Sequence, residues 1–126
     1  MMITALIIED NDNNLELIRF LLEQAGYKTR FAMTGLEGVQ QALSIPPDFI
    51  ILDILLLDIN GLEVLKRIRA SPVGAAMPII AMTSYAMAGD KEKLLAEGCT
   101  AYIEKPIDPT RVIAQIEVAL GKERKK

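Results

Sequence analysis

Polar side chains close the apolar runs of this sequence in a pattern suited to phosphorus chemistry. Glu9 and Asp10 follow the run Ile3 to Ile8, and Asp53 follows Phe49-Ile50-Ile51-Leu52. Thr83 follows Ile79 to Met82, and Lys105 follows Ala101 to Glu104. Acids directly after buried strands cost stability unless they serve a purpose. Carboxylates sharing one crevice repel and raise one another's pKa, a conflict that a hard divalent cation resolves. Mg2+ suits such a place, because it binds through one or two carboxylates and keeps water positions for a phosphate. With the metal neutralising charge on the transferred oxygens, the Asp53 carboxylate can attack phosphorus and become an aspartyl phosphate. The Thr83 hydroxyl can donate to a phosphoryl oxygen, and the Lys105 ammonium suits either a phosphate or a group of acids. Each residue alone has a plainer reading: a helix or turn cap for Glu9, Asp10 or Thr83, a salt-bridge partner for Lys105. Their joint placement at the ends of separate strands carries the functional reading. Asp12 and Asp58 read as solvated loop acids. Lys105-Pro106 is a candidate cis peptide, which the sequence leaves open.

The elements that must position these groups are legible from periodicity. Ile3 to Ile8 reads as a strand, and Asn13 to Ala25 carries Leu15, Ile18, Leu21, Leu22 and Ala25 at helical spacing before Gly26. Lys28 to Ala32 reads as a second, weaker strand. Thr34 with Glu37 forms a capping-box signature for a helix reaching Ser44, stopped by Pro46 and Pro47. Phe49 to Leu52 is a third strand, followed by a helix from Leu62 to Arg69 before Pro72. Ile79 to Met82 follows Pro78 as a fourth strand, and a helix from Asp90 to Glu97 closes on Gly98. Ala101 to Glu104 is the fifth strand. Asp108 is expected to cap the last helix, with Pro109 at its first position, Val112, Ile113, Ile116 and Leu120 inward, and Gly121 at its end. Such alternation predicts an α/β fold, a doubly wound five-stranded parallel sheet with five helices on both faces. A strand order of 2-1-3-4-5 would bring Glu9, Asp10 and Asp53 together beyond the carboxyl ends of the strands, where ligands bind in open sheets.

Composition narrows the alternatives. The 126 residues fit one domain over 1–121, with a basic tail over 122–126 that reads as a solvated end. Hydrophobic residues make up 51% and charged residues 25%, a globular balance. A net charge of −3 offers no general attraction to nucleic acid or to an anionic membrane. No apolar stretch approaches the roughly 20 residues of a membrane span. With one cysteine, Cys99, and no histidine, an internal disulfide and a Cys/His zinc site are both excluded, and a reducing cytoplasm is expected. A dehalogenase-like phosphatase needs a second Asp two residues after the first, where this chain has Leu55. A flavodoxin-type flavin carrier fits poorly with acids at the rim and no tryptophan, and no phosphate-loop motif exists.

Ile7-Ile8-Glu9-Asp10-Asn11, Asp53-Ile54 with Gly61-Leu62-Glu63, Met82-Thr83, and Tyr102-Ile103-Glu104-Lys105-Pro106 give the chain a clear likeness. It resembles, over nearly its whole length, the receiver domain of bacterial two-component response regulators, with their flavodoxin-like fold. Ala86-Met87-Ala88-Gly89-Asp90 is similar to the same run in stand-alone receivers and in receivers of hybrid kinases. The resemblance implies that Asp53 takes a phosphoryl group from the phosphohistidine of a sensor histidine kinase or a histidine phosphotransfer protein. It implies Mg2+ held by Glu9 or Asp10, Asp53 and the Leu55 carbonyl, and phosphoryl contacts from Thr83 and Lys105. It further implies that Thr83 and Tyr102 move as a switch, remodelling a surface for a downstream effector protein; Tyr102 alone would read as half-buried sheet packing. Such a domain catalyses only its own phosphorylation and dephosphorylation, and with no DNA-binding output expected it touches neither nucleic acid nor membrane. Two departures stand out. Leu57 occupies a position where the family usually has proline, and Leu55 and Tyr85 stand where polar residues would speed dephosphorylation. The rival is a receiver-like interaction module that works without phosphorylation.

Overall fold

The computed structural model describes residues 2–84 and 88–121, with the main chain alone at 88–90. Strands and helices alternate as β1 (Thr4–Ile8), α1 (Asp12–Gln24), β2 (Lys28–Ala32), α2 (Gly35–Ser44) and β3 (Phe49–Asp53). They continue as α3 (Gly61–Arg69), β4 (Ile79–Thr83), α4 (Ala88–Ala96), β5 (Ala101–Glu104) and α5 (Val112–Ala119). The strands form one sheet in the order β2-β1-β3-β4-β5, parallel throughout. This is the doubly wound, flavodoxin-like arrangement that the alternation predicts. Tyr85, Ala86, Met87, the side chains of 88–90 and the basic tail 122–126 lie outside the described residues, and with them the expectations placed there.

A parallel sheet covered on both faces needs apolar residues on both, and every residue of β3 and β4 is buried. The two-residue period of the strands sorts them. Leu6, Ile8, Ile50, Leu52, Ile79 and Ala81 face one layer, meeting Ala42 of α2, Val64, Leu65 and Ile68 of α3, and Leu94 of α4. Ala5, Ile7, Phe49, Ile51, Ile80, Met82 and Ile103 face the other, meeting Leu15, Ile18 and Leu22 of α1 and Val112 and Ile116 of α5. Tyr27 stands edge-on to Phe49 with ring centroids 5.6 Å apart. No described helix is long and apolar enough to cross a membrane.

Helix starts follow local side-chain chemistry, sometimes in unexpected ways. The Thr34 hydroxyl accepts the Glu37 N–H at 3.1 Å, as the capping box requires, but Glu37 returns its carboxylate to the Met33 N–H at 3.4 Å. Helix α4 begins at Ala88 rather than at Asp90. Asp108 does not cap a helix opening at Pro109. Its carboxylate accepts the Thr110 N–H at 2.9 Å and the Thr110 hydroxyl at 2.7 Å, closing a turn that delays α5 until Val112. An Asp side chain bonded to the main chain two residues on competes with helix, and here the turn wins. In consequence Val112 and Ile116 are fully buried, while Ile113 and Leu120 are only partly covered.

Gly61 opens α3 directly behind the end of β3. A Cβ there would lie 2.5 Å from the Ile54 Cα and 2.9 Å from the Asp53 carbonyl oxygen, main-chain atoms that cannot swing aside. Gly61→Ala is therefore expected to cost about 1–3 kcal/mol, as overpacking does. Urea denaturation should show a lower midpoint with an unchanged slope; an unchanged midpoint would refute this close packing of loop on helix.

Candidate functional site

The strand period continues past the strand ends and decides which side chains meet. Glu9 follows Ala5 and Ile7, Asp53 follows Phe49 and Ile51, and Lys105 follows Ile103, all residues of the layer shared with α1 and α5. These three converge. Thr83 instead follows Ile79 and Ala81, and Tyr102 packs directly on the opposite layer. Thr83 accordingly lines a cavity of about 150 Å³ together with Leu55, Asn60 and Lys93, on the α4 side. Tyr102, outside that cavity, is half buried against the same layer, with the Lys91 ammonium 5.2 Å from its ring centroid and ion-paired to Glu104 at 2.7 Å.

One carboxylate oxygen from each of Glu9, Asp10 and Asp53 lies within 4.8 Å of the others. The Lys105 Nζ sits between two of them, 3.3 Å from Glu9 Oε1 and 3.3 Å from Asp53 Oδ1. Its main chain is held in place as well: the Lys105 N–H donates to the Thr83 carbonyl at 2.8 Å, one step beyond β5. The Lys105-Pro106 peptide is cis. Main-chain donors serve the acids in turn. Asn11 N–H donates to Glu9 Oε2 at 3.2 Å, Leu55 N–H to Asp53 Oδ1 at 3.1 Å, and Leu57 N–H to Asp10 Oδ2 at 2.8 Å.

Glu9 and Asp53 are nearly inaccessible, 1% and 5% exposed, so their charges are poorly solvated. Burial is the main reason that the Glu9 carboxyl is pushed up to about 7. A hydrogen bond that its protonated form makes to Asp53, and the charge of Asp53 itself, push the same way, while Lys105 and the Asn11 N–H pull back only in part. One lysine does not balance three acids. The donor set is all oxygen, compact and under-compensated, which fits a hard divalent cation such as Mg2+.

Two residues do more than the sequence reveals. Asp58, expected to be a solvated loop acid, accepts the Gly35 N–H at 2.8 Å and the Leu36 N–H at 2.9 Å, capping α2 from the loop after β3. These amides hold its pKa below the usual carboxylate range, against a burial contribution that acts the other way. The cap joins residues 22 and 23 apart in the chain, so no local signal marks it. Asn60 accepts the Leu62 N–H at 2.7 Å and starts α3, and its type before Gly61 was a readable cap signal. Asp12 opens α1, where a negative charge favours the helix N-terminus.

The family described as response regulator receiver domain matches residues 5–117. The chain belongs to that family. It is 42% identical over 118 residues to the polar-differentiation response regulator DivK of Brucella ovis, covering 94% of this chain and 96% of that protein. Among solved structures, it is similar to the receiver domain of a sensor histidine kinase from Pseudomonas aeruginosa PAO1, which has a magnesium ion coordinated in its active site cleft. That likeness has 30% identity and a TM-score of 0.87, over 96% of this chain and 99% of the other. The chemotaxis response regulator CheY4 of Vibrio cholerae, 24% identical with a TM-score of 0.90 over 94% of this chain and 99% of its own, shares the fold. As a receiver, this chain is a regulatory phosphoacceptor domain of two-component signalling. Receivers bind Mg2+ in an acidic site, and the acidic cluster of this receiver lies at the carboxyl rim of β1 and β3.

The raised Glu9 carboxyl has a consequence for stability. The folded receiver holds this proton up to about pH 7, whereas the unfolded chain releases it near 4.5. Between those values the folded state binds more protons, so the contribution of Glu9 is full below 4.5 and is lost as pH rises through 7. In EDTA, urea unfolding free energies of Glu9→Gln should fall less steeply over this window than those of the wild type. Parallel curves would sink the assignment.

Proposed function

We propose that Asp53 is the phosphoacceptor, served by Glu9, Asp10, Lys105 and Thr83. Lys105 carries this reading: its ammonium lies 3.3 Å from Asp53 Oδ1, within reach of a phosphoryl group arriving there. Glu9, Asp10, Asp53 and the Leu55 carbonyl would hold Mg2+, which when bound neutralises charge on the transferred oxygens. An Asp53 carboxylate oxygen attacks phosphorus, the bond from phosphorus to the donor's imidazole nitrogen breaks, and the electron pair leaves with the imidazole. Lys105 then turns a hydrogen from the acids to one phosphoryl oxygen. Thr83 crosses from the α4 side to donate to another, and Tyr102 turns inward behind it, changing the surface formed by α4, β5 and α5. The parity of Thr83 and Tyr102 supports this pairing, since both lie on the layer away from the acids.

A chain without histidine must receive its phosphoryl group from elsewhere. The donor class is a sensor histidine kinase or a histidine phosphotransfer protein, and the output is a downstream effector protein; neither nucleic acid nor membrane is a partner. Residues 1–121 do this work as the receiver, with 122–126 as an appended tail. The chemistry is confined to its own phosphorylation and dephosphorylation, in the cytoplasm.

Incubation with acetyl phosphate and Mg2+ should add one phosphoryl group by intact mass, and Asp53→Asn should take up none. Failure of the wild type to gain mass would instead favour an interaction module that works without phosphorylation. Once formed, the aspartyl phosphate should persist, because Leu55, apolar and half exposed beside Asp53, cannot orient an attacking water. Leu55→Asn together with Tyr85→Glu should shorten its lifetime several-fold by the same mass assay. An unchanged decay would overturn the role given to these positions.

A further inference from the structure

We propose that the main-chain N–H of Leu57 is a positioning group that presets the Asp10 carboxylate for the cation. The inference rests on the reading of Glu9, Asp10 and Asp53 as the Mg2+ site. Among the described residues Lys105 pairs with Glu9 and Asp53, and no ion pair reaches Asp10. Asp10 is also the least buried of the three acids, so repulsion from its neighbours would swing it toward water. The Leu57 N–H opposes that swing, donating to Asp10 Oδ2 at 2.8 Å across 47 residues of chain. An N–H bonded to a charged acceptor is among the stronger hydrogen bonds of a protein.

The donor is itself held firmly. Behind it the Leu55 N–H is bonded to Asp53, and ahead of it Asp58 is bonded to the Gly35 and Leu36 amides. Asn60 then caps α3, and the Gly61 N–H returns to the Ile54 carbonyl at 2.9 Å. A loop pinned on both sides of residue 57 offers a fixed N–H rather than a wandering one. The Leu57 side chain is 92% exposed and packs on nothing that would explain the residue, so its contribution here comes from the main chain. Proline, which the family resemblance places at this position, has no N–H and could not make the contact. The bond occupies one oxygen, and among the described residues no hydrogen bond is made to Oδ1, which stays open to a cation.

Isothermal titration with Mg2+ separates the main chain from the side chain. Leu57→Ala keeps the amide and should bind with wild-type affinity. Leu57→Pro should bind about tenfold more weakly, the equivalent of about 1.4 kcal/mol. Because proline also restrains the preceding residue, a second variant replaces the Leu57 amide by an ester, removing the N–H with no change of shape; it should match Leu57→Pro. An ester variant that is folded by circular dichroism and binds Mg2+ as tightly as the wild type would overturn the inference alone. A wild type that binds no Mg2+ would overturn both the inference and the metal reading beneath it.

Discussion

Negative charge buried at the rim of a parallel sheet is the constraint around which this receiver is arranged. Glu9 and Asp53 are withdrawn from water on adjacent strands, and Lys105 reaches both from the far edge of the sheet. Like charges in a poorly solvated place are tolerable only with such compensation. The lysine is nonetheless outnumbered, and burial first, with the neighbouring Asp53 second, lets the Glu9 carboxyl keep its proton to an unusually high pH. The protein is thus built with a deficit of positive charge at the point where a cation and a phosphoryl group would arrive together. A site already in balance would have less reason to bind a cation.

The sheet period gives this charged rim two sides. Glu9, Asp53 and Lys105 belong to the layer covered by α1 and α5, whereas Thr83 and Tyr102 belong to the layer that α4 helps to cover. Thr83 lines a cavity on the α4 side, and Tyr102 packs half buried on the same layer with Lys91 over its ring. The strands that carry them, β4 and β5, are hydrogen-bonded neighbours, with Thr83 paired to Glu104.

The loop after β3 ties these parts together. In the span from Asp53 to Gly61 the main chain or side chains bond to the Asp53 carboxylate, to Asp10, to the start of α2 and to the start of α3. Leu55 and Leu57 place apolar side chains at its exposed surface, where an acid-lined crevice would ordinarily be flanked by polar residues. Their main-chain groups, not their side chains, serve the acids.

Much of this was legible without coordinates. Four apolar runs and one weaker, more polar strand alternating with amphipathic stretches determined a parallel α/β sheet, because buried strands and one-sided helices have few other ways to cover each other. Glu9, Asp53, Thr83 and Lys105 were visible as polar residues ending such runs, and even their division between two layers follows from counting by twos along each strand. The start of α5 escaped, since turn and helix compete for the same Asp108 and only the packing of Val112 and Ile116 decides. The Asp58 cap and the hold of the Leu57 amide on Asp10 escaped for a deeper reason. Each depends on groups tens of residues apart at separations of about 3 Å. Periodicity specifies the face on which a side chain lies, but distances of that order exist only once the strands have taken their order in the sheet.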